Sequence, residues 1–303
     1  MLGDYFRTFE QADEYMEQRG KKAVFLIDGL EDLFMNPQPQ NDENWKIAIR
    51  AICQNIVNEL RNLQKGNLGI VVFVRKDMAA DAISVNFEQF KNQYARYELK
   101  WNPTEALRLA LWISIQVEPS IFEGNIDISR ASREVIESNL ELLWGKKLGR
   151  NDSREANSAR WIIAALSDFT KQLQARDIVR FLKFATDNWA EPNLYYTDRY
   201  IMPTDIRRAI PNCSREKYKE IESEMKSIYQ ILKKFQNMEE SEKQLPLTLD
   251  KINLTGEEIS RLEGQGYLIS SDKKYYMPEI IRFALGFKYE KGARPKVLSL
   301  LTS

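Results

Sequence analysis

The chain has 303 residues, 43% apolar and 29% charged, a composition that supports folding nearly throughout and argues against long disordered segments. Lys plus Arg balances Asp plus Glu at 44 each, so no overall basic field recruits nucleic acid or acidic lipid. Histidine is absent, which excludes Ser/His/Asp hydrolysis, Cys/His nucleophilic catalysis and histidine-containing zinc sites, and leaves carboxylate and arginine chemistry.

A chain of this length buries a sizeable core and accommodates two or three domains. Cys53 and Cys213 stand far apart in apolar or helical contexts, so no disulfide framework is expected and a reducing cytoplasm fits. No apolar run approaches the roughly 20 residues that span a bilayer, so no membrane segment is expected either.

Residues 8–19 read as a short helix. Ala23-Val24-Phe25-Leu26-Ile27 is a continuous apolar, partly β-branched run, the pattern of a strand buried on both faces of a parallel sheet. From Trp45 through Ile49, Ile52, Ile56, Leu60 and Leu63 the spacing is helical, and Gly66-Asn67 ends it. Leu68–Val74 reads as a second buried strand and Tyr97–Trp101 as a shorter alternating one. Strand, helix and strand in this order make a crossover unit of an α/β sheet.

From Thr104 to about Phe235 the apolar spacings are helical. The last of these helices carries Tyr218, Ile221, Met225, Ile228, Leu232 and Phe235 at alternating steps of three and four. That pattern fits packing on the rest of the domain better than a coiled coil, for which it is too short. Residues 245–285 differ: a helix near Thr255–Glu263, a turn at Gly264-Gln265-Gly266, then two short strands flanking the polar tip Ser270–Lys274, the outline of a winged helix.

The chemistry concentrates at Asp28, which follows the first apolar run and is itself followed by Gly29-Leu30-Glu31-Asp32. An acid at the carboxyl end of a parallel strand lies in the crevice where open α/β sheets bind ligands. In nucleotide hydrolysis such an acid holds the coordination shell of Mg2+, and a second acid orients the attacking water. Asp28 takes the first role in this reading and Glu31 or Asp32 the second. The plainer alternative is a polar turn after a strand, with Asp28 capping whatever follows and Glu31 and Asp32 solvated.

Arg75, at the end of the next strand, falls on the same sheet edge as Asp28 and suits a phosphate sensor. Its plainer role is an ion pair with Asp28 or Asp77. No stretch matches the phosphate-loop pattern G-x-x-x-x-G-K-[ST]; Gly145-Lys146-Lys147-Leu148-Gly149-Arg150 comes nearest and has the wrong spacing.

Together these motifs resemble the P-loop ATPases of the AAA+ and STAND groups, particularly the bacterial multidomain ATPases called KAP-like or Sll-type. Val24–Asp32 is similar to their Walker B segment and Val72–Asp77 to the sensor-1 strand. Gln174–Leu182 is similar to the start of the sensor-2 helix, where Arg176 reaches toward the nucleotide, although Ala175 stands where the family has proline. The resemblance implies α/β followed by all-α: a partial parallel-sheet P-loop NTPase core over 1–115, a helical lid over 116–238 and a winged-helix-like domain over 239–303.

It also implies an ATP-dependent molecular switch using ATP and Mg2+, with an upstream ATPase segment or a neighbouring subunit supplying the missing Walker A loop, because only 22 residues precede the Asp28 strand. Neither is expected to bind tightly to this chain alone, and ATP hydrolysis is expected only where that loop is supplied. Protein partners and a cytoplasmic location are expected. Nucleic acid is not, because Gln236–Ser303 holds ten Lys plus Arg against ten Asp plus Glu, and the candidate recognition helix carries Glu257, Glu258 and Glu263 against Arg261 alone. The alternatives are a non-catalytic interaction or regulatory module on a degenerate ATPase fold, or a winged-helix DNA-binding regulator.

Overall fold

The computed structural model describes residues 8–30, 44–99, 101–122, 124, 126–187 and 196–290. They form a mixed α/β protein rich in helices, divided into two units, Met1–Leu99 and Lys100–Ser303.

In the first unit, the Thr8 hydroxyl accepts from the backbone N–H of Gln11 and starts α1 (Phe9–Gln18). The two apolar runs form β1 (Ala23–Ile27) and β2 (Leu68–Val72), paired in parallel with Ala23 opposite Leu68 and Ile27 opposite Val72. Their connection is helical, as the spacing predicts, but not uniform. It comprises α2 (Asn44–Arg50), a π-helical stretch (Ala51–Ile56) and α3 (Val57–Arg61). Beyond β2 come α4 (Lys76–Ala82), α5 (Phe87–Tyr94) and a 3-10 turn at Ala95–Tyr97.

Two expectations fail here. The strands are not buried on both faces. One face of β1 and β2 packs on small clusters built around Ala12, Leu60 and Leu68 and around Ile49, Cys53 and Ile83. On the other, Val24 and Leu26 are 60% and 71% exposed, and Val71 and Phe73 are exposed too. The run of apolar residues was therefore not evidence of two covering layers. Nor is Tyr97–Trp101 a strand: Tyr97 closes the 3-10 turn, Leu99 is 83% exposed, and Lys100 lies outside the described residues. The alternation there has no layer to bury its apolar face.

The second unit opens with α6 (Pro103–Val117), where Asn102 accepts from the N–H of Glu105 and Pro103 occupies the first turn, whose N–H groups need no intrahelical partner. Then follow α7 (Arg133–Trp144), α8 (Ser158–Leu166), α9 (Ala175–Thr186), α10 (Pro203–Glu224) and α11 (Lys226–Gln236). The final helix expected over Tyr218–Phe235 is two helices. Met225 breaks it with φ −131° and ψ 61°, yet Ile221, Ile228, Leu232 and Phe235 are all buried on the same core. Packing on the domain accounts for the three-and-four spacing.

After α11 the chain adds β3 (Gln244–Leu245), β4 (Leu247–Thr248), α12 (Gly256–Gly264), β5 (Ile269–Ser271), β6 (Lys274–Tyr276), α13 (Glu279–Arg282) and β7 (Lys288–Tyr289). β5 and β6 form an antiparallel hairpin extended by β4, and β3 pairs with β7 in parallel. The helix and hairpin read from the sequence are both present, but the tip is only Asp272-Lys273. Both residues have positive φ, 51° and 59°, the geometry of a two-residue turn matched to the twist of its strands. One continuous core of buried side chains runs from Ala106 to Phe287, with Trp144, Phe181, Phe235 and Phe287 among its largest members.

Candidate functional site

β1 ends at Ile27, and Asp28 follows it exposed to solvent. Gly29 has φ 72°, a left-handed turn open to glycine, and its N–H donates to Asp28 Oδ1 at 2.8 Å. The second carboxylate oxygen of Asp28 has no partner among the described residues. Mg2+ holds several of its waters and takes only one or two carboxylates, so a single exposed acid at a strand end fits a magnesium shell completed by waters and phosphate oxygens. Among the described residues no group of three or more His, Cys, Asp or Glu side chains is placed to hold a metal ion by itself. Glu31 and Asp32 lie outside the described residues.

Arg75 stands three residues beyond Val72, the partner of Ile27, so it and Asp28 belong to the same end of the two-stranded sheet. It occupies the position before α4 with an extended backbone and is half-buried. Its guanidinium donates to both carboxylate oxygens of Asp77, from Nε at 3.2 Å and from NH2 at 2.8 Å. A two-pronged pair of this kind holds the arginine in one orientation.

Arg176 belongs to the second unit, at the start of α9. Its guanidinium is engaged on three sides: Nε donates to Gln174 at 2.7 Å, NH1 to Glu224 at 2.7 Å, and Glu220 lies at 3.3 Å. Behind it is a buried charge network absent from the sequence reading. Lys217 Nζ meets Glu220 at 2.9 Å and Asp177 at 3.4 Å, and Arg180 donates to Glu220 at 2.7 Å. Burial pushes the Asp177 carboxyl above its ordinary range against the pull of Lys217. Burial also works to raise Glu220, but Lys217 and Arg180 outweigh it and hold that carboxyl below the usual range.

Comparison of the chain with protein-family models, curated protein sequences and solved structures gives no match. Its own geometry therefore carries any functional reading. That geometry brings Asp28 and Arg75 to one sheet end, and it gives Arg176 a separate setting among carboxylates.

Two signals of the buried network were present in the sequence. Lys217 sits on the apolar stripe of α10, four residues from both Cys213 and Ile221, where a charge needs a buried partner. Asp177 is three residues after Gln174, the spacing of a reciprocal helix cap, and its carboxylate accepts from the Gln174 N–H at 2.9 Å. The two thiols are buried, and burial drives them up to about 11 for Cys53 and about 12 for Cys213, the latter helped by Asp177, so neither is a ready nucleophile.

The segment 145–150, nearest in sequence to a phosphate loop, has the opposite polarity. Its backbone turns carbonyls inward, and the buried guanidinium of Arg199 donates to Lys147 O at 2.6 Å and Gly149 O at 3.1 Å. A phosphate loop offers N–H groups to an anion; this loop offers oxygens to a cation.

Proposed function

We propose that Met1–Leu99 is the post-phosphate-loop part of a P-loop ATPase core of the AAA+ or STAND type, and that the whole chain acts as an ATP-dependent molecular switch once an upstream segment or neighbouring subunit supplies the Walker A loop. The observation that carries this reading is Asp28 at the carboxyl end of a parallel strand, exposed, with Arg75 beyond the end of the adjacent strand. Asp28 would hold the magnesium shell, Glu31 or Asp32 would orient the attacking water, and Arg75 and Arg176 would read the terminal phosphate. For Arg75 this requires an exchange of Asp77 for phosphate, and for Arg176 an exchange of Glu224. The bound ion would neutralise phosphate charge; the chain's own carboxylates and arginines would position it. The helices α7 to α11 would form the lid, and α12 with the β5–β6 hairpin a winged-helix module.

One observation favours a second reading, a non-catalytic interaction module on a degenerate ATPase fold. Both arginines are already held by carboxylates, Arg75 by Asp77 and Arg176 by Glu224 and Glu220, an arrangement that needs no nucleotide. A DNA-binding role has less support: on α12, Glu258 pairs with Lys234 and Arg261 with Glu257, which leaves an acidic, self-paired surface.

Calorimetric titration with MgATP separates the first two readings, using this chain and a version extended upstream in its native gene. Binding by the extended version alone, with hydrolysis reduced at least a hundredfold by Asp28→Asn, supports the switch. Absence of binding by both supports the interaction module.

A further inference from the structure

One face of the β1–β2 sheet is covered from within the first unit. Ala12 of α1, Leu60 of α3, Ile49 and Cys53 of the connection between the strands, and Ala82 and Ile83 after β2 form clusters against which Ala23, Ile70 and Val72 pack. The opposite face carries Val24, Leu26, Val71 and Phe73, all exposed. Gly69 belongs to that face too, since a Cβ on it would stand 3.7 Å from Val24 Cγ2. Asp28 and Arg75 continue the same alternation, two residues beyond Leu26 and Phe73, so the exposed apolar face runs up to the candidate site.

The sheet has two strands among the described residues, so each keeps one open edge. Ala23 donates its N–H to Asn67 O at 2.8 Å, and Phe73 donates its N–H to Ile27 O at 2.8 Å. Successive N–H groups of a strand point to opposite edges. Those of Ile70 and Val72 therefore point outward from β2, and those of Val24 and Leu26 outward from β1.

Area and chain path restrict what covers the face. Two copies of the chain stacked through these four apolar side chains would bury roughly 800 Å2, short of the roughly 1,200 Å2 at which stable interfaces begin. The apolar stripe of one amphipathic helix matches four side chains on two strands. Crossovers between parallel strands are right-handed, so the face a helix takes decides which way the chain steps across the sheet. The connection from β1 to β2 uses the covered face and steps from β1 toward β2. A helix on the exposed face steps the other way: it follows a strand on the β2 side and leads to one on the β1 side. From there α1, on the covered face, brings the chain into β1 in the original direction.

We infer that Val24, Leu26, Val71 and Phe73 receive the helix of an upstream strand–loop–helix unit whose strand pairs in parallel with the outer edge of β2. This rests on the reading of an upstream segment that brings the Walker A loop. It puts the loop between that strand and helix at the sheet end where Asp28 and Arg75 stand.

The test compares amide exchange and thiol labelling in this chain and in the chain extended upstream in its native gene. By NMR, the amides of Ile70 and Val72 should exchange roughly a hundredfold more slowly in the extended chain. In the variant Leu26→Cys, reaction with a maleimide should slow by about tenfold or more on extension; Cys53 and Cys213 are buried and add little background. The amide comparison on the unaltered chains decides the matter if that variant misfolds. Unchanged exchange at Ile70 and Val72, or protection of the Val24 and Leu26 amides without them, would overturn the proposal. Labelling that is already slow in this chain and speeds up on dilution would give the face to a second copy and overturn it as well. Calorimetry with MgATP on the same extended chain keeps the two readings apart. Protection without binding removes the nucleotide role and leaves the added layer, whereas binding without protection removes the layer alone.

Discussion

In Met1–Leu99 the apolar side chains Val24, Leu26, Val71 and Phe73 stay open to solvent, whereas in Lys100–Ser303 the charged side chains Asp177, Lys217 and Glu220 are drawn inside. The contrast follows from how much apolar surface each unit gathers. The second unit has one core from Ala106 to Phe287, and a core of that extent tolerates the desolvation of a paired network. The first has two small clusters on one side of a two-stranded sheet, a sheet too small to be stable without such packing. Its one buried carboxylate among the described residues, Asp13, holds backbone alone: it accepts from the N–H groups of Lys65, Gly66 and Asn67 at 3.0, 3.3 and 2.7 Å. In the second unit the buried cation of Arg199 fixes the 145–150 loop through its carbonyls, and in the first the buried anion of Asp13 fixes the turn before β2 through its N–H groups.

The comparison breaks most visibly at Gly145. Its φ is 75°, and a Cβ there would stand 2.0 Å from the guanidinium carbon of Arg199. Gly145→Ala therefore strains the backbone and expels a buried cation from its carbonyl acceptors. We expect a loss of about 4 kcal/mol, read from urea unfolding by tryptophan fluorescence. A loss below about 1 kcal/mol would mean that Arg199 swings out at little cost and is no clamp.

Glu220→Gln comes next, with an expected loss of about 3 kcal/mol at neutral pH, because Lys217 and Arg180 then share only Asp177. The sign of its pH dependence follows from the direction of the shift. Glu220 is held below its unfolded value, so its stabilisation is present above about pH 4.3 and disappears as pH falls through the lower, folded value. Asp177 acts oppositely: raised by burial, it favours the folded state most below about pH 4 and loses that contribution as pH rises through its folded value. Unfolding free energies from pH 3 to 7 should show a smaller acid-side loss in Glu220→Gln than in the parent chain.

In the first unit the corresponding change is Asp13→Ala, which removes the acceptor of three N–H groups just before β2. A loss of about 2 kcal/mol is expected, with faster hydrogen exchange at Lys65, Gly66 and Asn67. Unchanged exchange there would show that the turn holds itself.

What the sequence made legible divides along the same line. Helical spacing marked the stretch from Thr104 to Phe235 as helical because a large core enforces its period on every helix that touches it, but it ran the end of α10 and α11 together across Met225. The β1–helix–β2 order was legible from two apolar runs and the pattern between them. How many layers cover a strand was not, since Val24 and Leu26 look alike whether buried or bare; that depends on partners distant in sequence. Asp28 and Arg75 were placed at one sheet end from strand order alone, while the grip of Asp77 on Arg75 stood open among alternatives. The Asp177–Lys217–Glu220 network depends on α9 packing against α10, a contact 40 residues apart along the chain that periodicity does not report.

The smallest expected effect is the sharpest test of the contrast between the units. Leu26 is 71% exposed on the bare sheet face, and threonine suits a strand as well as leucine does. Leu26→Thr should therefore change stability by no more than about 0.5 kcal/mol while lowering the fluorescence of an apolar dye such as ANS bound to the protein. A loss above about 2 kcal/mol would mean that the face is covered in solution, and the concentration dependence of that loss would tell how: present for a second copy of the chain, absent for cover from within it. Parallel strands are ordinarily covered on both faces, so the exposed face of β1 and β2 leaves the first unit with less buried apolar surface than the second unit's single core gathers.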